Sequence, residues 1–220
     1  MNLKILLYSF LTLIGIFLAL FGWSTYRYYE MVHADDPIDP LLVVTNGTSK
    51  IVRADYTYVL SETESYELET NDIIETGLES RATITWPDKS VTRLGPKTRI
   101  VIEKMYASNN YDSIEIAYTM ERGKVWNTLI RSLVGDSYFE VHLPRESIVA
   151  GVRGTIFEIN LDNKYIRAVD HSTKLTQRNQ SLEIFPGDMV DSENILIKKG
   201  RGWLDAKWNE WNSASDTIYE

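Results

Sequence analysis

The sequence predicts an all-β domain, a wound β-sandwich or a β-solenoid-like stack, with one transmembrane helix before it and a short helix after it. Three observations carry this expectation. Apolar and polar residues alternate with a period of two through much of the chain beyond residue 42. Clusters of turn-forming residues separate these stretches at regular spacing, as in sandwiches, barrels and solenoids. Near the start, an uncharged stretch is long enough to cross a bilayer as a helix.

The alternation is explicit. Ala82, Ile84 and Trp86 share one face of a strand, and Ile100 and Ile102 share a face of another. Ile114, Ile116, Tyr118 and Met120 alternate with Glu115, Ala117 and Thr119. Phe139, Val141 and Leu143 alternate with Glu140 and His142, and Phe157, Ile159 and Leu161 with Glu158 and Asn160. Each reads as a half-buried strand with one wet face. Asn46-Gly47, Trp86-Pro87-Asp88, Gly95-Pro96, Asn109-Asn110, Arg122-Gly123, Gly135-Asp136, Asp162-Asn163 and Pro186-Gly187-Asp188 mark the turns. The segment Tyr66–Thr76 aligns without gaps on Leu182–Ser192, with Asp72 matching Asp188, as one strand–turn–strand unit used twice. Lys124–Val134 reads either as a helix or as a strand with a loop.

From Ile5 to Trp23 no residue is charged. With Leu3 and Lys4 the stretch makes about 21 residues, or about 30 Å of helix, the thickness of the hydrocarbon core. Trp23, Tyr26, Tyr28 and Tyr29 follow, as rings do at a membrane interface. The stretch is longer than a signal peptide's apolar region and is followed by bulky residues, so an uncleaved anchor is expected. The expected layout is an anchor over 1–29, a linker over 30–42 with Pro37 and Pro40, a β domain over 43–200 and a Trp-bearing helical segment over 201–220. In that last segment Leu204, Trp208 and Trp211 fall on one helical face, and Trp203 opens it. Such a stripe either packs under the domain or serves as a docking surface.

Beyond Tyr26 the chain holds 22 basic and 31 acidic residues. That balance repels phosphate backbones and argues against nucleic acid. No cysteine is present, which excludes disulfides and thiolate chemistry. His33 lies in the linker and His142 points outward. Asp170-His171-Ser172 is not expected to form a triad, because neighbours on a strand face opposite ways. No zinc-ligand spacing or catalytic constellation is evident, so neither a cofactor nor an enzymatic activity is expected.

Two stretches resemble a known family. Residues Thr76 to Thr98 (TGLESRATITWPDKSVTRLGPKT) look like the central signature of FecR-type domains, and Gly151-Val152-Arg153-Gly154-Thr155-Ile156-Phe157 resembles their second signature. The resemblance covers roughly residues 43–190 and implies a bacterial envelope protein, in which Asn46-Gly47-Thr48 and Asn179-Gln180-Ser181 read as turns. Gly151 and Gly154 would form a bulge around Arg153 or admit a closely packed strand, with Thr155 beside them. Arg153 would then pin the bulge through a buried acid, or meet a ligand. Lys89 stands where the family's turn has Gly, so a type I turn is expected there, sparing Lys89 a positive φ.

The best-known members of the family relay signals from an outer-membrane receptor to a sigma factor through a cytoplasmic segment. Here about four residues precede the apolar stretch, too few for a binding domain. The expectation is therefore a single-pass inner-membrane protein held by residues 3–23, with its C-terminal domain outside. That domain would bind a partner protein or an envelope component in signalling or sensing. The alternative is a structural protein that contacts cell-wall polymer or assembles with itself.

Overall fold

The structure, a computed structural model, describes residues 14–26, 37–131, 133, 135–144, 147–151, 154–178, 180–199 and 208–212. It divides into two units, Met1–Asp36 and Pro37–Glu220. In the first, α1 spans residues 14–26. Ile16, Phe17, Leu18, Leu20, Phe21 and Trp23 are all exposed on it. Near its end the Thr25 hydroxyl donates to the carbonyls of Phe21 and Gly22 at 3.0 and 2.9 Å. Among the described residues no helix is long and apolar enough to cross a membrane. Residues 3–13 of the expected span, and residues 30–36 of the expected linker, lie outside the described residues.

The second unit is all-β, with eighteen strands among the described residues. The chain builds two sheets at once by passing between them. β1 (Leu41–Asn46) starts the first sheet, and the hairpin β2 (Thr48–Arg53) and β3 (Tyr56–Ser61) starts the second. β4 (Ser65–Glu67) returns to the first sheet and β5 (Ile73–Thr76) to the second. The first sheet then gains β6 (Arg81–Thr85) and β7 (Val91–Leu94), and the second gains β8 (Arg99–Ala107) and β9 (Ile114–Arg122). β10 (Lys124–Thr128) joins the first, and β11 (Tyr138–Leu143) and β12 (Ser147–Gly151) the second. β13 (Ile156–Asn160) and β14 (Tyr165–Asp170) join the first, and β15 (Thr173–Gln177) and β16 (Gln180–Ile184) the second. β17 (Met189–Asp191) and β18 (Lys198–Lys199) close the first.

The sheet orders are β18-β17-β14-β13-β10-β7-β6-β1-β4 and β16-β15-β12-β11-β9-β8-β5-β2-β3. Both layers grow in the same direction as the chain advances, so this is a sandwich wound in solenoid fashion and not a closed barrel. Pairing is antiparallel except for β9 with β11. The ambiguous stretch after residue 123 is the strand β10. Its Val125 and Trp126 are buried, so β-propensity and burial on both faces win over any helical reading.

One apolar core lies between the layers. Leu42, Ile84, Leu94, Val125, Phe157, Ile159 and Ile166 come from the first sheet. Ile51, Ile74, Ile100, Ile102, Ile116, Tyr118, Phe139 and Val141 come from the second. Trp86 stacks on Tyr118 at 5.7 Å, and Phe139 meets Trp86 edge-on at 6.0 Å and Phe157 at 6.3 Å. Burying each such ring contributes about 1.5–3 kcal/mol. A polar thread crosses the same core. Trp86 Nε1 donates to Thr92 Oγ1 at 2.8 Å, and Thr92 Oγ1 and the Tyr118 hydroxyl both donate to Asn127 Oδ1 at 2.7 and 2.9 Å.

The corners where the chain changes layer rest on two threonines. Thr76 Oγ1 donates to Gly95 O at 2.6 Å and accepts from Thr98 N at 2.9 Å. Thr98 Oγ1 donates to Lys124 O at 3.0 Å and accepts from Lys124 N at 3.1 Å. Gly123 has φ +91, and a Cβ there would lie 2.4 Å from Thr98 Cα, so only glycine lets this corner close.

The repeated segments do share a turn. Asp72 N donates to Glu69 O at 3.1 Å and Asp188 N to Phe185 O at 2.8 Å. In return the Asp72 carboxylate accepts Glu69 N at 2.9 Å and the Asp188 carboxylate accepts Phe185 N at 3.1 Å. The residue before each Asp takes positive φ, +73 at Asn71 and +90 at Gly187. The two units cross in opposite senses, β4 to β5 from first sheet to second and β16 to β17 from second to first.

Two expectations need correction. Lys89 does take positive φ, at +70. Its N–H closes the turn onto Trp86 O at 2.9 Å, and Trp86 N bonds Ser90 O at 2.9 Å. In a three-residue hairpin loop of this kind the residue after the turn must be left-handed, which explains a Gly there elsewhere. The one-wet-face reading also fails on the first sheet, where Arg93, Trp126, Glu158 and Asn160 are as buried as the core residues.

Two outcomes test these points. Thr98→Ala strands the Lys124 amide, while the Lys124 carbonyl keeps the Gly95 N–H at 2.9 Å, and should cost about 1–3 kcal/mol in denaturant unfolding. Lys89→Gly relieves a left-handed residue and should raise stability by up to about 1 kcal/mol, whereas Lys89→Val should lower it.

Candidate functional site

The sequence-predicted site residues do not form one constellation. Arg153 and Trp203 lie outside the described residues. Gly151 ends β12 and pairs with Thr173. Gly154 has φ +53, and a Cβ there would meet nothing within 4 Å, so the glycine serves conformation and not close approach. Thr155 is buried, its hydroxyl donating to Ser172 O at 3.3 Å and its carbonyl accepting from Leu129 N at 3.0 Å. The bulge expected around Arg153 falls outside the described residues, and a separate bulge lies on β14. Ile156 pairs with Asp170 and Phe157 with Ala168, so Val169 on β14 is the extra residue.

The outer face of the first sheet carries a row of directly opposed residues. Thr83 faces Arg93, Arg93 faces Trp126, Trp126 faces Glu158, and Glu158 faces Arg167. Glu158 is fully buried and accepts Arg167 Nη2 at 2.6 Å and the Tyr165 hydroxyl at 2.7 Å. Burial and the Glu158 carboxylate push the Tyr165 phenol well above its ordinary value.

A short helix, α2 (residues 208–212), covers this row. Asn209 Oδ1 accepts Arg167 Nη2 at 2.8 Å. Lys124 Nζ sits 4.6 Å from the Trp208 ring centre and the Arg81 guanidinium 5.0 Å from that of Trp211. Cations held over desolvated indole faces add about 0.5–2 kcal/mol each. Trp208 is 1% exposed, so here it packs under the domain and offers no surface to a partner.

The far edge of the second sheet is different. Among the described residues β3 pairs only with β2, and Tyr56, Tyr58 and Val59 are 68%, 39% and 65% exposed. Tyr56 and Tyr58 stand opposite Arg53 and Ile51, on the core-facing side. They stay exposed because the first sheet ends here in the three-residue β4, whose Tyr66 reaches Tyr58 at 5.0 Å between ring centres. Arg53 lies 4.9 Å over the Tyr66 ring and is gripped by the buried Asp72 at 2.7 and 2.8 Å. The Asp72 hydrogen bonds hold its guanidinium charged above its ordinary range. Periodicity marks β3 as a strand, but its edge position depends on sheet order, which no local pattern encodes.

Among the described residues no group of three or more His, Asp or Glu could hold a metal ion. His171 turns out to meet its neighbour. It leaves the strand with φ +55, and its Nδ1 lies 3.2 Å from Asp170 Oδ2, both side chains more than half exposed. His142 sits between Glu103 at 2.7 Å and Glu140 at 3.3 Å on the outer face of the second sheet.

The fold defines the class as a two-layer, all-β domain wound in hairpins. Residues 72–174, a little under half of the chain, match the family model described as FecR protein. The match runs from the Asp72 turn into β15 and is narrower than the 43–190 suggested by the sequence motifs. Two crystal structures of a candidate anti-sigma factor from Parabacteroides distasonis are similar at 16% identity, with a TM-score of 0.46. The similarity covers 58% of this chain and 59% of theirs, so this chain spans less than two thirds of their length. No curated protein matches.

Two measurements test the outer-face network. Arg167→Met leaves Glu158 buried without its cation and should cost about 3–5 kcal/mol, most of it recovered in Arg167→Met/Glu158→Met. The raised Tyr165 phenol means that stability is fully present below about pH 10 and falls as pH rises beyond it. Tyr165→Phe should remove its share of that alkaline loss in a pH series of unfolding curves, leaving the share of the buried Tyr118 phenol, which burial also raises.

Proposed function

We propose that the chain is a membrane-anchored FecR-domain module that binds a partner protein of the bacterial envelope in a signalling or sensing role. Residues 3–23 hold it as a single-pass protein in the cytoplasmic membrane, and the β domain lies outside. It acts by binding and not by catalysis. The observation that carries this reading is the FecR match itself, joined to a strand edge that the fold leaves unpaired among the described residues. The anchor is supported by the uncharged run Ile5–Trp23 and by the described part of α1, apolar with its large side chains exposed.

In intact cells, cross-linking of the full chain followed by purification should recover a specific envelope protein. A clean blank under efficient cross-linking would count against partner binding. The chain should stay with membranes through alkaline carbonate washing, and it should not sediment with purified peptidoglycan. Peptidoglycan binding would favour the cell-wall alternative.

A further inference from the structure

We propose that the outward edge of β3 is a strand-addition site for an extended partner segment with Lys or Arg near its ends. This rests on the partner-binding reading above and names the surface and chemistry involved.

The backbone comes first. A two-residue turn, Ala54-Asp55, closes β2 on β3, with Arg53 opposite Tyr56. In such a hairpin the opposed residues alternate between hydrogen-bonded and non-bonded pairs. Tyr56, Tyr58 and Leu60 therefore aim their N–H and C=O groups at β2, and Thr57 and Val59 aim theirs away. Ser61 also points outward, but its N–H goes to the Glu64 carboxylate at 2.6 Å and its C=O accepts Glu64 N at 3.1 Å. Among the described residues the open edge is thus two amides and two carbonyls, at Thr57 and Val59. β3 has no lysine, no proline and no register shift, the usual means of blunting an edge.

Charge selects the occupant. From Ala54 to Glu69 the chain has five acids and no base. Asp55 and Glu62 flank the strand and Glu67 borders the exposed tyrosines, all of them exposed, while Glu69 is paired with Arg53. A second copy is a poor fit. Self-pairing would bring together two strands that are each flanked by Asp55 and Glu62 and carry no base, so like charges repel across the new pair. Residues 30–39 and 213–220 of this chain contain acids and neither Lys nor Arg, so neither stretch fits the edge. An extended segment with basic ends would pair its backbone at Thr57 and Val59, rest on Tyr56 and Tyr58, and neutralise the flanking acids.

The test uses the full chain in detergent micelles and two synthetic peptides, KTVTVTVK and ETVTVTVE. The basic peptide should bind at least about tenfold more tightly, and the Thr57 and Val59 amides should gain protection from hydrogen exchange. Val59→Pro removes an outward N–H without touching the β2 pairing, so it should abolish binding while the melting curve stays cooperative. If that variant fails to fold, Asp55→Lys/Glu62→Lys should reverse the peptide preference. Equal binding of both peptides, protection elsewhere in the domain, or concentration-dependent dimers sealed through β3 would each overturn the proposal. An envelope partner cross-linking equally to wild type and Val59→Pro would remove this site while leaving partner binding intact.

Discussion

The hydroxyls of Thr76 and Thr98 tie together the corners at which the chain changes layer. Through Gly95, Thr98 and Lys124 they connect the ends of β5 and β7 to the starts of β8 and β10. A fold that adds strands to two sheets in alternation needs these crossings to stay in register. A slip of one residue would turn every apolar side chain of a strand out of the core. The hydroxyls suit the position because each can donate and accept at once, satisfying carbonyls and amides that a buried corner would otherwise leave unpaired. The Thr76–Thr98 stretch that resembles a family signature is therefore an architectural element, as is Gly123 packed against Thr98.

Given that frame, the two outer faces take different roles. On the first sheet, Glu158, Arg167, Arg93 and Trp126 are removed from water beneath α2. An acid so placed is tolerable only with a cation and a hydroxyl directed at it, which Arg167 and Tyr165 provide. On the second sheet, Glu75, Arg99 and Glu121 form ion pairs that remain partly solvated. There burial tends to raise the Glu75 carboxyl, but the Arg99 hydrogen bond and nearby cations outweigh it and hold it below its ordinary range.

The two ends of the sandwich also differ. The family match begins at Asp72, so β1 to β4 lie before it. These strands form an acidic, tyrosine-bearing end where one layer finishes in a three-residue strand and the other presents a full edge. The β3 edge proposed for strand addition thus falls in the part of the chain outside the match.

Strands, turns and most of the core were legible locally. Ile114, Ile116, Tyr118 and Met120 alternate as they should on a half-buried strand, and the turn of Asp72 reappears at Asp188 because a strand–turn–strand unit recurs in the sequence. The φ of Lys89 was not legible, because a loop's conformation is set by the hairpin it closes. The burial of Glu158 was not legible either. Alternation reads a Glu as wet, whereas contacts distant in sequence, among them Asn209 of α2 on its partner Arg167, help keep its surroundings dry. The order of strands in each sheet was beyond local reading, and with it the exposed edge of β3. By itself the sequence determined an acidic, cysteine-free, all-β chain with an apolar N-terminal stretch, since composition and period-two patterning are local properties. Tertiary structure alone decided which strand lies at an edge, which charges are buried and which tryptophan is covered, since each depends on contacts between residues far apart in the chain.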